Sequence, residues 1–158
     1  IIDALGGITV NSDYTFDVGS FHYVKGDNYL NGEQALAFAR ERHAFATGDR
    51  QRGEDQMKVI KAVFNKATSS AVLANYTDLL ASLEGTFETS MSYDTLAKLV
   101  RQQLDQGTGW DIETYSVNGS GQSSYTYSIS NMKVYVMLPD QSTVDTAKEK
   151  IQAVLDGE

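Results

Sequence analysis

The chain has 158 residues, 41% of them hydrophobic and 22% charged, with a formal net charge of −8 at pH 7 and no cysteine. This composition suits a globular domain with one sizeable core, and it excludes a disordered chain, disulfides and thiolate metal sites. No apolar run approaches the ~20 residues of a membrane span, and an acidic chain without a helix-turn-helix pattern argues against nucleic-acid binding, which depends on basic surface.

Ile1 to Gly7 reads as the last turn of a helix closed by glycine, followed by a short strand at Ile8-Thr9-Val10. Asn11 to Ser20 reads as a turn or loop, with Tyr14 and Phe16 placed for a small hairpin arm. Phe21 and Tyr23 suggest a second strand, and Val24-Lys25-Gly26-Asp27 a tight reversal. Asp13, Asp17 and Asp27 match no dedicated metal loop and read as solvated turn carboxylates. Asn31 or Gly32 caps a helix containing Ala35, Leu36, Phe38 and Ala39. That helix is expected to end near Arg40. On a continuous helix Arg40 and Arg42 would point about 200° apart, whereas an extended segment puts them on one side.

A second helix starts from Gly48, with Asp49 at or near its N-cap. Asp49, Arg52 and Gln56 stand at i, i+3 and i+7 and share a face, while Met57, Ile60, Phe64 and Ala67 form the stripe expected to be buried. Ser69 or Ser70 begins a further helical segment around Val72, Leu73, Tyr76, Leu79, Leu80 and Leu83. Another runs from Tyr93 to Leu104, capped by Ser92, with Leu96, Leu99, Val100 and Leu104 as its apolar stripe. Either pair of faces can form core or wall a lipid cavity.

Gly107-Thr108-Gly109 breaks the chain. Trp110, Ile112, Tyr115 and Val117 mark a strand, Asn118 to Ser124 a glycine and serine loop, and Tyr125, Tyr127 and Ile129 another strand. The Lys133 to Leu138 run follows, ended by Pro139-Asp140. Ser142 with Asp145 resembles a capping box, and Val144, Ala147, Ile151, Val154 and Leu155 line a closing helix. Strands alternating with helices imply an α/β fold, a mixed β-sheet sandwiched by helices in three layers, as a single domain over residues 1–158.

Chemistry concentrates in one stretch. Four of the five arginines, Arg40, Arg42, Arg50 and Arg52, fall in RERHAFATGDRQRGEDQ. The planar guanidinium fork suits phosphate or carboxylate, and a helix N-terminus adds free N–H groups and a positive dipole end. The competing reading is ordinary pairing with Glu41, Glu54 and Asp55, each surface pair contributing ~0–1 kcal/mol. His22 and His43 are the only histidines, and neither joins a Ser-His-Asp or Cys-His order.

The string Gly32-Glu33-Gln34-Ala35-Leu36-Ala37-Phe38-Ala39-Arg40-Glu41-Arg42, followed by Gly48-Asp49-Arg50-Gln51-Arg52 and Gln56, resembles the signature of the LytR-CpsA-Psr family. Ala4-Leu5-Gly6-Gly7-Ile8-Thr9-Val10 and the lead Gly26, Leu30, Gly32 extend the likeness over roughly residues 1–70, nearest to streptococcal capsule-associated members. The resemblance implies that an N-terminal membrane helix and the first half of the domain precede residue 1, making this the C-terminal portion. It implies a protein anchored by a single pass at the extracytoplasmic face of a Gram-positive membrane. Its implied activity is transfer of a polyprenyl-pyrophosphate-linked glycopolymer, a capsule polysaccharide or wall teichoic acid, onto peptidoglycan. Arg40, Arg42 and Arg52 would then grip the pyrophosphate and Gln56 would donate a hydrogen bond. Asp49 would orient an arginine or accept the hydroxyl proton, the orienting role being preferred; Arg50 lies off that face. The family's Mg²⁺ would find its ligands outside this chain. Two rival readings are a non-catalytic module binding an anionic lipid-linked glycan and a transcriptional regulator of envelope genes.

Overall fold

A computed structural model describes residues 1–46, 48–73, 89–106 and 111–157. They fall into two compact units, Ile1–Ile112 and Glu113–Glu158. The fold is mixed α/β, with three small antiparallel two-stranded sheets among the described residues.

The first unit opens on one turn, in which Leu5 N–H reaches Ile1 O and Gly7 N–H reaches Ile2 O. Gly6 and Gly7, at φ +74° and +92°, close it as expected. Strand β1 (Ile8–Ser12) then pairs antiparallel with β4 (Gly26–Leu30), Ile8 opposite Leu30 and Val10 opposite Asn28. Between them lies the hairpin of β2 (Phe16–Val18) and β3 (Phe21–Tyr23). The sequence shows this hairpin but not β4, because Val24-Lys25-Gly26-Asp27 reads as a tight reversal. Asn28 is buried, and its carboxamide exchanges hydrogen bonds with Val24 N–H and Val24 O, at 2.9 and 2.7 Å, which satisfies a polar residue inside a strand.

Helix α1 (Gly32–Arg40) is capped by Asn31, whose side chain accepts from Gln34 N–H while Gln34 returns the bond to Asn31 N–H. Ala35 and Phe38 point into the core with Ile8, Val10, Phe16, Tyr23 and Leu30. The Tyr23 hydroxyl escapes isolation by donating to Gln34 O at 2.8 Å, and burial pushes its pKa up to about 12.

Helix α2 (Asp49–Ala67) follows a loop. Its face is not the expected one. Met57, Ile60 and Phe64 are exposed, at 40, 59 and 37%. Gln51 and Asp55 are buried instead, and Val59, Ala62 and Val63 pack on the core. The buried face thus carries polar groups in its first half, which disguised it.

Helix α3 (Ser70–Leu73) begins at the expected serine; Tyr76, Leu79, Leu80 and Leu83 lie outside the described residues, as do the 107–109 break and Trp110. Helix α4 (Tyr93–Gln106) is capped by Ser92 Oγ, which accepts from Thr95 N–H at 3.2 Å. Ala97 is its buried residue, and Leu99 and Leu104 of the expected stripe are exposed. Among the described residues no helix is long and apolar enough to cross a membrane.

Residues 111–117, which straddle the boundary between the units, form no strand, and in the second unit neither do Tyr125, Tyr127 and Ile129. The glycine and serine segment does: β5 (Gly119–Ser124) pairs with β6 (Val134–Pro139), Gly121 opposite Met137. A Cβ on Gly121 would lie 2.5 Å from the Tyr135 ring, so glycine here admits a neighbour's aromatic side chain rather than marking a loop. Helix α5 (Gln141–Asp156) is capped by Asp140, which accepts from Ser142 N–H; Asp145 instead accepts from Gln141 and Lys148. Of its expected apolar stripe, Ile151, Val154 and Leu155 are exposed.

Candidate active site

The arginines stand at the end of α1 (Arg40), in the loop that follows (Arg42) and in the first turn of α2 (Arg50 and Arg52). Helix α1 stops at Arg40 because Glu41 turns extended, at φ −67° and ψ 136°. Arg42 therefore leaves the helix on a non-helical segment, as the spacing suggested. The loop folds back on itself. Phe45, its only large apolar side chain, packs edge-on against Phe16 at 4.9 Å between ring centroids and tilts against Tyr14 at 5.5 Å. Gly48 N–H bonds Phe45 O, and the position of a Cβ on Gly48 lies 3.6 Å from Arg42 O. The backbone of Arg42 thus comes beside the start of α2.

From the other side, Gln56 reaches across to α1, its Nε2 donating to Ala39 O at 3.2 Å. This places Gln56 next to the last residue of α1, Arg40. One of its two amide hydrogens is engaged there and the other has no partner among the described residues. Asp49 Oδ1 and Arg52 Nη2 form an ion pair one helical turn apart. Arg50 reaches Glu54 at 3.5 Å. Of the four arginines, two are thus paired internally. Arg40 and Arg42 are exposed and have no carboxylate partner among the described residues; Arg42 Nε points to His43 Nε2 at 3.4 Å.

The carboxylates expected to neutralise them are occupied elsewhere. Glu41 Oε1 accepts from the backbone N–H groups of Arg42, His43 and Ala44. Burial works to raise the Glu41 carboxyl, but these three donors outweigh it and hold it below the usual glutamate range. Asp55 is 1% exposed, accepts from Gln51 at 3.1 Å and lies 3.5 Å from Lys58. Its Oδ2 has no hydrogen-bond partner among the described residues, and burial pushes its carboxyl above the ordinary value. Lys58 also holds Asp13 below that value by a direct hydrogen bond. Sequence reading missed this buried network, and it missed Phe45, although an aromatic in an otherwise small and polar loop is a visible sign of an anchor.

The three turn aspartates take ordinary partners: Asp13 with Lys58, Asp17 with His22 at 2.6 Å and Asp27 with Asn11 at 2.6 Å. Among the described residues no cluster of three or more His, Cys, Asp or Glu side chains could hold a metal ion. These residues therefore do not fit the Mg²⁺ expected of the resembled family.

Comparison with known proteins matches the LytR_cpsA_psr family model to residues 1–152. A polyisoprenyl-teichoic acid–peptidoglycan teichoic acid transferase TagU of Enterococcus faecalis is 33% identical over 120 residues, covering 70% of this chain and 40% of the relative. Among solved structures, TagV of B. subtilis superposes with a TM-score of 0.75 at 26% identity, covering 98% of this chain and 59% of that one. TagT bound to LIIa-WTA shares the fold, with a TM-score of 0.68 at 21% identity over 96% of this chain and 55% of that one. The chain spans about two fifths of the length of the curated relative.

Proposed function

The chain belongs to the LytR-CpsA-Psr family, and from that premise we propose that its arginine corner grips the pyrophosphate of a polyprenyl-linked glycopolymer during transfer to peptidoglycan. The cargo class is a capsule polysaccharide or wall teichoic acid, the transferase names of the relatives favouring the teichoic acid. The observation that carries the reading is the pair Arg40 and Arg42. Both are permanently charged, exposed and without a carboxylate partner among the described residues, at the one place where Gln56 and the start of α2 meet the end of α1.

In the reaction, an acceptor sugar hydroxyl oxygen bonds to the phosphorus that carries the glycan. The bond from that phosphorus to the bridging oxygen breaks, and polyprenyl phosphate leaves with the electron pair. The hydroxyl proton passes to solvent or a base. Charge spreads over the phosphate oxygens in the transition state, so positioned cations supply much of the stabilisation. Arg40 and Arg42 fill that role. Arg52, steadied by Asp49, adds a third donor fork, and the second amide hydrogen of Gln56 a further bond. Asp49 acts as an orienting group here, since it sits in contact with a guanidinium. The Mg²⁺ expected of the family would take its ligands from outside this chain. The site works at the extracytoplasmic face of a Gram-positive membrane, held there by a single-pass anchor, with the lipid-linked glycan and peptidoglycan as partners.

The test is wall-polymer attachment by the full-length protein carrying Arg40→Ala or Arg42→Ala. Loss of one charged phosphate contact is expected to cost ~2–4 kcal/mol of transition-state stabilisation, with circular dichroism and thermal unfolding unchanged. Wild-type decoration by either variant refutes the reading. Tight binding of a polyprenyl pyrophosphate with no transfer by wild-type protein would instead favour a binding module.

A further inference from the structure

Between Arg40 and Arg42 stands Glu41, in the place where a carboxylate would ordinarily neutralise both. It does not. One of its oxygens, Oε1, accepts from Arg42 N–H at 2.9 Å, from Ala44 N–H at 2.8 Å and from His43 N–H between them. Bonds from backbone N–H groups to an ionised carboxylate are among the stronger ones, and three on one oxygen leave that oxygen little capacity for a guanidinium. No ion pair joins Glu41 to either neighbouring arginine among the described residues.

The same contact decides the loop's shape. Glu41 is the C-cap of α1, where its own N–H reaches Phe38 O at 3.4 Å. Its side chain then gathers the next three residues into one turn. Phe45 anchors the loop's middle on Phe16, and Gly48 N–H ties its far end to Phe45 O at 3.1 Å. Of these tethers, the carboxylate is the one that acts directly on the backbone of Arg42.

We propose that Glu41 is a positioning residue of the transfer site: by engaging three consecutive backbone N–H groups it fixes the turn that carries Arg42 and keeps both flanking guanidinium groups free for the pyrophosphate. This rests on the arginine-corner reading given above. The low carboxyl pKa of Glu41 agrees with it, because a charged acceptor is what the three donors stabilise. A glutamine retains a carbonyl oxygen at the same reach and can accept the same bonds. An alanine leaves three N–H groups to water and the turn unpinned.

The experiment compares Glu41→Ala, Glu41→Gln, Arg42→Ala and the double variant E41A/R42A in the full-length protein. The readouts are kcat/KM for transfer and Kd for a short-chain polyprenyl pyrophosphate. Misplacing a catalytic group by about 1 Å costs about 100-fold, so Glu41→Ala is expected to lower kcat/KM by about that factor and to weaken binding. Glu41→Gln should stay within a few-fold of wild type. Because Glu41 acts through Arg42, the double variant should be no worse than Arg42→Ala alone. Three results overturn the proposal alone, provided Arg42→Ala is impaired: Glu41→Ala with wild-type kcat/KM, tighter pyrophosphate binding by Glu41→Ala, or losses that multiply in the double variant. If Glu41→Ala fails to fold, a folded Glu41→Gln as impaired as Arg42→Ala also overturns it. Wild-type rates from Arg42→Ala itself would overturn the arginine-corner reading and this proposal with it.

Discussion

Gly48 holds φ +46° and ψ −104° where the arginine loop enters α2. Among the described residues a methyl group there would meet only Arg42 O, at an ordinary 3.6 Å, so Gly48→Ala is a matter of backbone conformation rather than crowding. Forcing an L-residue into such a region costs of order 1–3 kcal/mol, and the variant is expected to unfold at correspondingly lower denaturant with an unchanged m-value. Asp55 poses the opposite case, a native residue that opposes stability. Its folded-state pKa is raised, so over the window between the unfolded and folded values the folded state keeps a proton that the unfolded state has lost. Stability therefore falls as pH rises through that window, and at neutral pH the buried charge remains a cost. Asp55→Asn keeps an oxygen to accept from Gln51, while Lys58 keeps Asp13. The variant is expected to melt a few degrees higher at pH 7, with the gain disappearing as pH falls toward the ordinary carboxylate value. A melting-temperature difference independent of pH would rule out the titration of Asp55 as its source.

At the scale of the element, local signals were legible and face assignments were not. Asn31 as a cap and the end of α1 at Arg40 follow from side chains acting on the nearest backbone, which a sequence displays directly; α2 starts after Gly48, with no side-chain cap. Which stripe of α2 turns inward depends on what packs against it. Its first inward positions are Gln51 and Asp55, stabilised by a lysine, by each other and by the loop after β1; hydrophobicity alone selects Met57, Ile60 and Phe64. The site residues show the same division: the pattern located the arginines, while the different fates of Glu41, Glu54 and Asp55 were invisible before the chain was folded. The face assignment has a direct check. Val63→Ala removes carbon packed on the core and is expected to cost about 1 kcal/mol. Ile60→Ala, at a position 59% exposed, should stay within about 0.5 kcal/mol. Urea titrations of the two variants showing the reverse order would restore the stripe that hydrophobicity selects.

Over the molecule as a whole, the mixed α/β class was readable from alternating elements, but β5 was not, since its glycines form a strand only because β6 lies alongside. Charge is the other whole-chain property, and it separates the transferase reading from the regulator one. Four arginines meet four carboxylates between Arg40 and Gln56, so the entire net charge of −8 lies elsewhere on the chain. Duplex DNA, a long polyanion, would meet a chain that is acidic overall, on which Arg40 and Arg42 lack a carboxylate partner among the described residues. Each phosphate neutralised contributes a slope of about −0.9 to log K against log salt, so two contacts give a slope near −2, against the 6–10 contacts typical of dedicated DNA-binding proteins. On the proposed reading a diphosphate headgroup, far smaller than a duplex, would meet Arg40 and Arg42 without spanning the acidic remainder. The chain is therefore expected to retain no duplex DNA in a filter or gel assay at about 50 mM salt. A polyprenyl pyrophosphate should bind with a shallow salt dependence and be displaced by free pyrophosphate. Because both ligands draw on the same arginines, Arg40→Ala/Arg42→Ala should remove lipid binding and leave the DNA result unchanged. DNA retention with a steep salt slope would reverse this ordering and return the regulator reading to first place.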